Sequence, residues 1–264
     1  MPTCQQQTIC YNSDIAHHYY KNKAFTLAEV LITLGIIGIV AALTLPSVIT
    51  TYQKKQTVAQ LKKAYSTISQ ALVTSQYENG NISEWNLSNI APITPTDSAD
   101  QAVAEGKAVL SSLLNKYFFP YMDIVDDCGL YCKRQQNVKR YGLNHDEEIL
   151  WYGRSHYVTY LKDGTIIAFS LDAKGGDAPA YQYLYIHVDI NGDNKPNIYG
   201  RDIFVFMFTS ATNRVNFAGI DQTREQMKTS GRRGCNKKTT SNSGYYCGAL
   251  IQHDGWEIKD DYPW

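Results

Sequence analysis

The segment Phe25-Thr26-Leu27-Ala28-Glu29-Val30-Leu31-Ile32-Thr33-Leu34-Gly35-Ile36-Ile37-Gly38-Ile39-Val40-Ala41-Ala42-Leu43-Thr44-Leu45 decides how the rest of the chain is read. Apart from three threonines and Glu29, these 21 residues are apolar. Wound into an α-helix at ~1.5 Å per residue, they reach about 30 Å, the hydrocarbon thickness of a bilayer. The single carboxylate near the start is the informative departure. An ionised group inside a membrane costs a few kcal/mol or more unless it is paired, so Glu29 requires a cationic partner.

Phe25-Thr26-Leu27-Ala28-Glu29 followed by an apolar helix resembles the processing and assembly signal of the type IV pilin and type II secretion pseudopilin superfamily. The resemblance implies cleavage between Ala24 and Phe25 by a prepilin peptidase on the cytoplasmic face, then N-methylation of Phe25. The residue before the cut is usually Gly in that family and is Ala24 here. Glu29 becomes the fifth mature residue, and its implied partner is the α-ammonium of Phe25 in a neighbouring subunit. Pro46 matches a helix-kinking proline of the family. An ordinary secretory signal is the plainer reading, but its apolar region is shorter and ends at a small-residue cleavage site. An ordinary anchor does not require a Glu at its start.

Orientation follows from the resemblance and not from charge. Lys21 and Lys23 precede the span, whereas Lys54, Lys55, Lys62 and Lys63 follow it, a count that alone favours the opposite topology. With a cytoplasmic cut, the protein is placed in the inner membrane as a single-pass chain, its C-terminal domain outside the cytoplasm and later in a periplasmic or surface filament.

The division expected is a leader at 1–24, a transmembrane and amphipathic helix at 25–78, and a globular domain at 79–264. Removing the leader leaves room for one domain with a real core. With 25 Lys plus Arg against 25 Asp plus Glu, the balance argues against a nucleic-acid partner held through phosphates, unless the filament takes up DNA. Cys4 and Cys10 fall in the leader. Cys128, Cys132, Cys235 and Cys247 remain, and outside the cytoplasm they favour two disulfides with three possible connectivities. Proximity points to Cys128–Cys132 and Cys235–Cys247. A four-cysteine zinc site is the competing reading, with a second spacing too wide for a zinc knuckle.

Beyond Pro46, where a kink or local unwinding is expected, Val58, Leu61, Ala64, Tyr65, Ile68, Ala71 and Leu72 recur at three- and four-residue steps. That is the apolar stripe of an amphipathic helix, stopped by Asn79-Gly80-Asn81. Asp97 or Ser98 begins a second helix that runs to about Phe118 and is closed by Pro120, followed by a loop at Asp126–Cys132. Residues 157–161 and 165–169 flank the hairpin turn Lys162-Asp163-Gly164, and 183–189 and 202–208 read as two further strands. Residues 211–244 read as a polar surface loop, and the aromatic tail from Gly255 to Trp264 is expected to dock. The fold class is therefore α+β, a long N-terminal helix packed on a small antiparallel sheet, which is also what a pilin-like resemblance implies.

Asp189-Ile190-Asn191-Gly192-Asp193-Asn194-Lys195-Pro196-Asn197 is the one segment that could hold an ion. Oxygens on Asp189, Asn191, Asp193 and Asn197 resemble part of a calcium loop, with Asp202 or a carbonyl completing the shell. A tight Asn/Asp/Gly turn explains the same residues equally well. His145, His156, His187 and His253 are scattered, and no metalloprotease, nucleophile-elbow or phosphate-loop motif is present, so no catalytic residue is assigned.

The expected function is that of a structural subunit, a pseudopilin or minor pilin. Its partners would be a homo- or hetero-oligomeric pilin filament, the prepilin peptidase and an inner-membrane assembly platform. The alternative is a membrane-anchored extracytoplasmic protein that binds a ligand, an exported substrate or DNA.

Overall fold

The computed structural model describes residues 25–82, 85, 110–146, 148–151, 156–173, 181–209 and 214–264. The leader, including Ala24, and the start of the expected second helix lie outside them. Two compact units divide the chain between Ile49 and Thr50.

Helix α1 runs from Leu27 to Asn79 without a break. Local unwinding at Pro46 is therefore not observed. The proline removes one N–H, and nearby hydroxyls turn onto the helix backbone, Thr44 Oγ1 donating to Val40 O and Ser47 Oγ to Thr44 O, both at 2.9 Å. In the first unit Leu31, Ile32, Leu34, Ile36, Ile37, Ile39, Val40 and Leu43 are all exposed. A helix this long and apolar can cross a membrane. Past Thr50 the character changes. Val58, Leu61, Ala64, Ile68, Ala71 and Leu72 are buried, and Tyr65 packs beside them. Gly80, at φ 79°, takes the left-handed conformation that ends the helix.

Residues 110–117 form α2, with Leu110, Leu113, Leu114 and Tyr117 buried. Strand β1 (Ile124–Gly129) follows, then β2 (Arg140–Tyr141), β3 (Glu148–Ile149), β4 (Tyr157–Leu161), β5 (Ile166–Ala173), β6 (Tyr181–Asp189), β7 (Ile203–Thr209) and β8 (Asn216–Phe217). Six of them form an antiparallel sheet in the order β1-β4-β5-β6-β7-β8, and β2 pairs with β3 separately. The strand expected least, β1, occupies the segment read as a loop around Asp126 and Cys128. Its pairing with β4 slips twice, which is why its sequence lacks a clean alternation.

The two faces of the sheet separate by strand alternation. Ile167 and Phe169 of β5, Ile186 and Val188 of β6, and Phe204, Phe206 and Phe208 of β7 join Leu61, Ile68 and Leu72 of α1 in one core. Ile166, Ala168, Tyr185, Ile203 and Val205 point the other way, against Trp151, Tyr199 and Tyr245. Both faces are covered.

The expectation of a surface loop over 211–244 fails. The described part, from 214, contains β8 and helix α3 (Arg224–Thr229), and it buries Val215, Phe217, Ala218, Met227 and Cys235. Its apolar residues are spaced too far apart for a periodicity to register, and each fills a gap beside α4 (Cys247–His253) or the sheet. The terminal segment docks as expected. The Tyr262 hydroxyl donates to the Gly200 carbonyl, and Trp256 packs on Tyr65 and Phe217.

Candidate functional site

At the N-terminus of α1 the Thr26 hydroxyl accepts from the Glu29 N–H at 3.2 Å, and Glu29 Oε2 accepts from the Thr26 N–H and hydroxyl, both at 2.8 Å. This is a capping box, two otherwise orphaned N–H groups satisfied reciprocally. The pattern Thr26-x-x-Glu29 was available in the sequence and was overshadowed by the membrane reading of the same carboxylate. Phe25 stands one residue before the cap and is exposed.

The four retained cysteines meet in pairs. Cys128 bonds Cys132 with Cα atoms 5.2 Å apart, and Cys235 bonds Cys247 at 4.8 Å. The first bond closes the end of β1, and the second fixes the start of α4 against the loop after α3. Gly200 at φ 84° lies directly over this second bond, where a Cβ would fall 2.6 Å from Cys247 Sγ.

The polar segment 189–202 links β6 to β7, and its residues divide between two environments. Asp193 faces Arg140 and Gln135: its Oδ1 accepts from Arg140 Nη2 at 3.0 Å and from Gln135 Nε2 at 2.9 Å. Arg140 is fully buried, stacks on Trp151 at 3.9 Å, donates to Gln135 Oε1 at 2.5 Å, and reaches Asp189 Oδ2 at 3.4 Å. The sequence offered no signal for Arg140, one of two arginines in the polar stretch 133–148.

The other environment gathers Asp189, Asn191, Asn197 and Asp202. The Asp202 carboxylate accepts from the backbone N–H of Asn197 and of Ile198, each at 2.7 Å, and also engages the Asn191 side chain. Asp189, at the end of β6, pairs with Ile203 next to Asp202. Burial pushes both carboxyls above the usual range, Asp189 well above, and the proximity of Asp202 adds to the shift at Asp189 while Arg140 opposes it.

Behind this loop lies a buried hydrogen-bonded chain. Trp151 Nε1 donates to the Tyr199 hydroxyl at 3.0 Å, that hydroxyl meets His187 Nδ1 at 2.9 Å, and His187 Nε2 meets Ser170 Oγ at 3.0 Å. His156 lies 5.0 Å from His187, ring to ring. Burial lowers His187 well below the usual imidazole range and His156 to about 4, with the Arg140 charge contributing to both. Both rings are neutral near pH 7. His145 and His253 lie elsewhere. Among the described residues no three His, Cys, Asp or Glu side chains gather as a metal cluster.

A family model described as a family of unknown function, DUF6613, matches residues 47–264, and a model of the prokaryotic N-terminal methylation motif matches residues 20–45. No curated protein and no solved structure matches the chain.

Proposed function

The chain belongs over residues 47–264 to the family of unknown function DUF6613 and carries the type IV pilin signature ahead of it, and from that premise we propose that it is a pseudopilin or minor pilin of a type II secretion or type IV pilus-like filament. The observation that carries the proposal is the methylation motif set on a helix apolar enough to span a membrane and attached to an α+β domain. In this reading a prepilin peptidase cuts between Ala24 and Phe25 and methylates Phe25. The inner membrane holds the subunit until an assembly platform draws it into a filament.

The mechanism is packing. The exposed aliphatic surface of residues 27–49 leaves lipid for the matching surfaces of neighbouring helices. Glu29 sets the register by taking the amino group of an adjacent Phe25, an ion pair that a low-dielectric surrounding strengthens. Gly35 and Gly38 have no atom within 4 Å of where a Cβ would lie, so this side of the helix is open to a close neighbour.

The test is intact mass and N-terminal sequencing of protein from membranes of cells with and without the peptidase. A chain beginning at methylated Phe25 only when the peptidase is present supports the pathway. A chain cut elsewhere returns the protein to an anchored domain with another task. Glu29→Ala should leave processing intact and impair incorporation into filaments; normal incorporation would remove Glu29 from the mechanism.

A further inference from the structure

We infer that a cavity between α1 and the β6–β7 loop binds the phosphate group of an anionic phospholipid, taken from the membrane leaflet on the domain's own side. The cavity measures about 230 Å³ and lies wholly within the second unit. One wall is Gln53, Gln56 and Gln60, which the helical repeat sets on one face of α1. Facing them are Lys195 and Arg201 of the loop, with Trp264 beside them. Thr57 Oγ1 donates to the Arg201 carbonyl at 3.5 Å and holds the two walls together. Sites that enclose a drug-sized molecule run to about 300–1,000 Å³, so this one admits a headgroup rather than a larger ligand.

Charge selects the ligand. Lys195 is exposed, and among the described residues no carboxylate pairs with it or with Arg201. The Arg201 guanidinium lies over Trp264, 4.9 Å from the ring centroid, and its Nε is buried without a hydrogen-bond partner. The carboxylate bordering the cavity, Asp202, is buried and already accepts from the Asn197 and Ile198 N–H groups. What remains is two cations and three side-chain amides, donors that suit phosphate oxygens.

Position supplies the lipid. Exposed aliphatic side chains continue along α1 to Val48 and Ile49, and Gln53 follows four residues later, about 6 Å at the helical rise. A headgroup layer occupies about 5–8 Å on each side of the hydrocarbon core. Tyr52, exposed, and Trp264 are the aromatic types that gather at this depth. The lysines that follow the span against the usual charge rule also find a use. Lys62 lies over Trp256 at 5.5 Å and Lys63 bonds Asp163 at 2.7 Å, whereas Lys54 and Lys55 have no ion pair among the described residues. Anionic headgroups give these two a counter-charge. The inference rests on α1 crossing the membrane, as the proposed function does, but not on cleavage or filament assembly.

The experiment is native mass spectrometry of the uncut full-length protein, released from non-ionic detergent micelles carrying matched amounts of phosphatidylglycerol or phosphatidylcholine. Phosphatidylglycerol should be retained at least about fivefold better, the contribution of one cation near a headgroup. Lys195→Gln should lower that retention about fivefold, and Lys54→Gln with Lys55→Gln by at least as much. Lys62→Gln with Lys63→Gln removes the same charge from the same helix and should lower it by less than about twofold. Millimolar inorganic phosphate should not displace the lipid. Lys55 and Lys195 are exposed, and should one variant fail to fold, the other decides. Equal retention of phosphatidylcholine, or full retention by Lys195→Gln, would overturn the site. An equal loss in the Lys62 and Lys63 pair would reduce it to diffuse charge, and displacement by inorganic phosphate would make the ligand a free anion. Alkaline carbonate extraction separates premise from site: a chain washed off membranes removes the span and both readings, whereas a chain that stays without preferring the anionic lipid removes the site alone.

Discussion

The two faces of the central sheet are both buried and are built by opposite chemistry. Towards α1, alternate β7 residues contribute Phe204, Phe206 and Phe208, and the contact is aromatic and aliphatic throughout, with Tyr65 stacked on Phe217 at 5.6 Å. On the reverse face β6 contributes Tyr185, His187 and Asp189, and the partners are Arg140, Trp151, Tyr199 and Tyr245. The first face gains from apolar area removed from water and tolerates small changes of shape. The second holds only while each polar group keeps its partner, since desolvation makes an unpaired charge far costlier than a cavity.

The widest gap between the faces should appear on removing Arg140. Arg140→Met strands the Asp189 carboxylate in the interior and should cost about 3–5 kcal/mol in urea unfolding of the full chain. A loss under about 1 kcal/mol would show that the reverse face behaves as ordinary core. On the helix side Leu61→Ala should cost about 3 kcal/mol, a transfer and cavity effect with no dependence on pH.

The pH dependence itself distinguishes the faces. His156 titrates near 6.5 in an unfolded chain and at about 4 in the folded protein, so the unfolded chain binds the proton first. Stability from this group is present in full above pH ~6.5, falls as pH drops through the interval, and levels off below about 4. The loss from this group should amount to about 3 kcal/mol, and His156→Phe should make that part of the profile shallower while leaving the share that His187 contributes. The smallest effect belongs to the surface: Lys63 bonds Asp163 at 2.7 Å, but the lysine is mostly exposed, and Lys63→Ala should cost no more than about 0.5 kcal/mol.

What could be read from the sequence follows the same division. The helix stripe from Val58 to Leu72 and strands β4 to β7 were legible because each repeats a period long enough to register. The turn at Gly164 and the helix stop at Gly80 were legible because positive φ selects glycine. β1, β2, β3 and β8 were not, being short or bulged. The loop 189–197 was legible as a cluster of oxygens, but how its polar groups divide between partners was not. Asp193 belongs with Arg140, 53 residues away in sequence, and no local pattern carries that pairing. Asp202 instead closes the turn locally, accepting from the Asn197 and Ile198 N–H groups.

The outer strands of the sheet bear on what happens when many copies are held shoulder to shoulder. Subunits in a filament face one another at concentrations no free solution reaches, and an open sheet edge would then template unwanted strand pairing. Neither edge here is a usable template. β8 offers two residues, and β1 is interrupted by two slips and tied at its end by the Cys128–Cys132 bond. Edge-to-edge strand pairing between crowded domains is therefore blocked by the sheet itself.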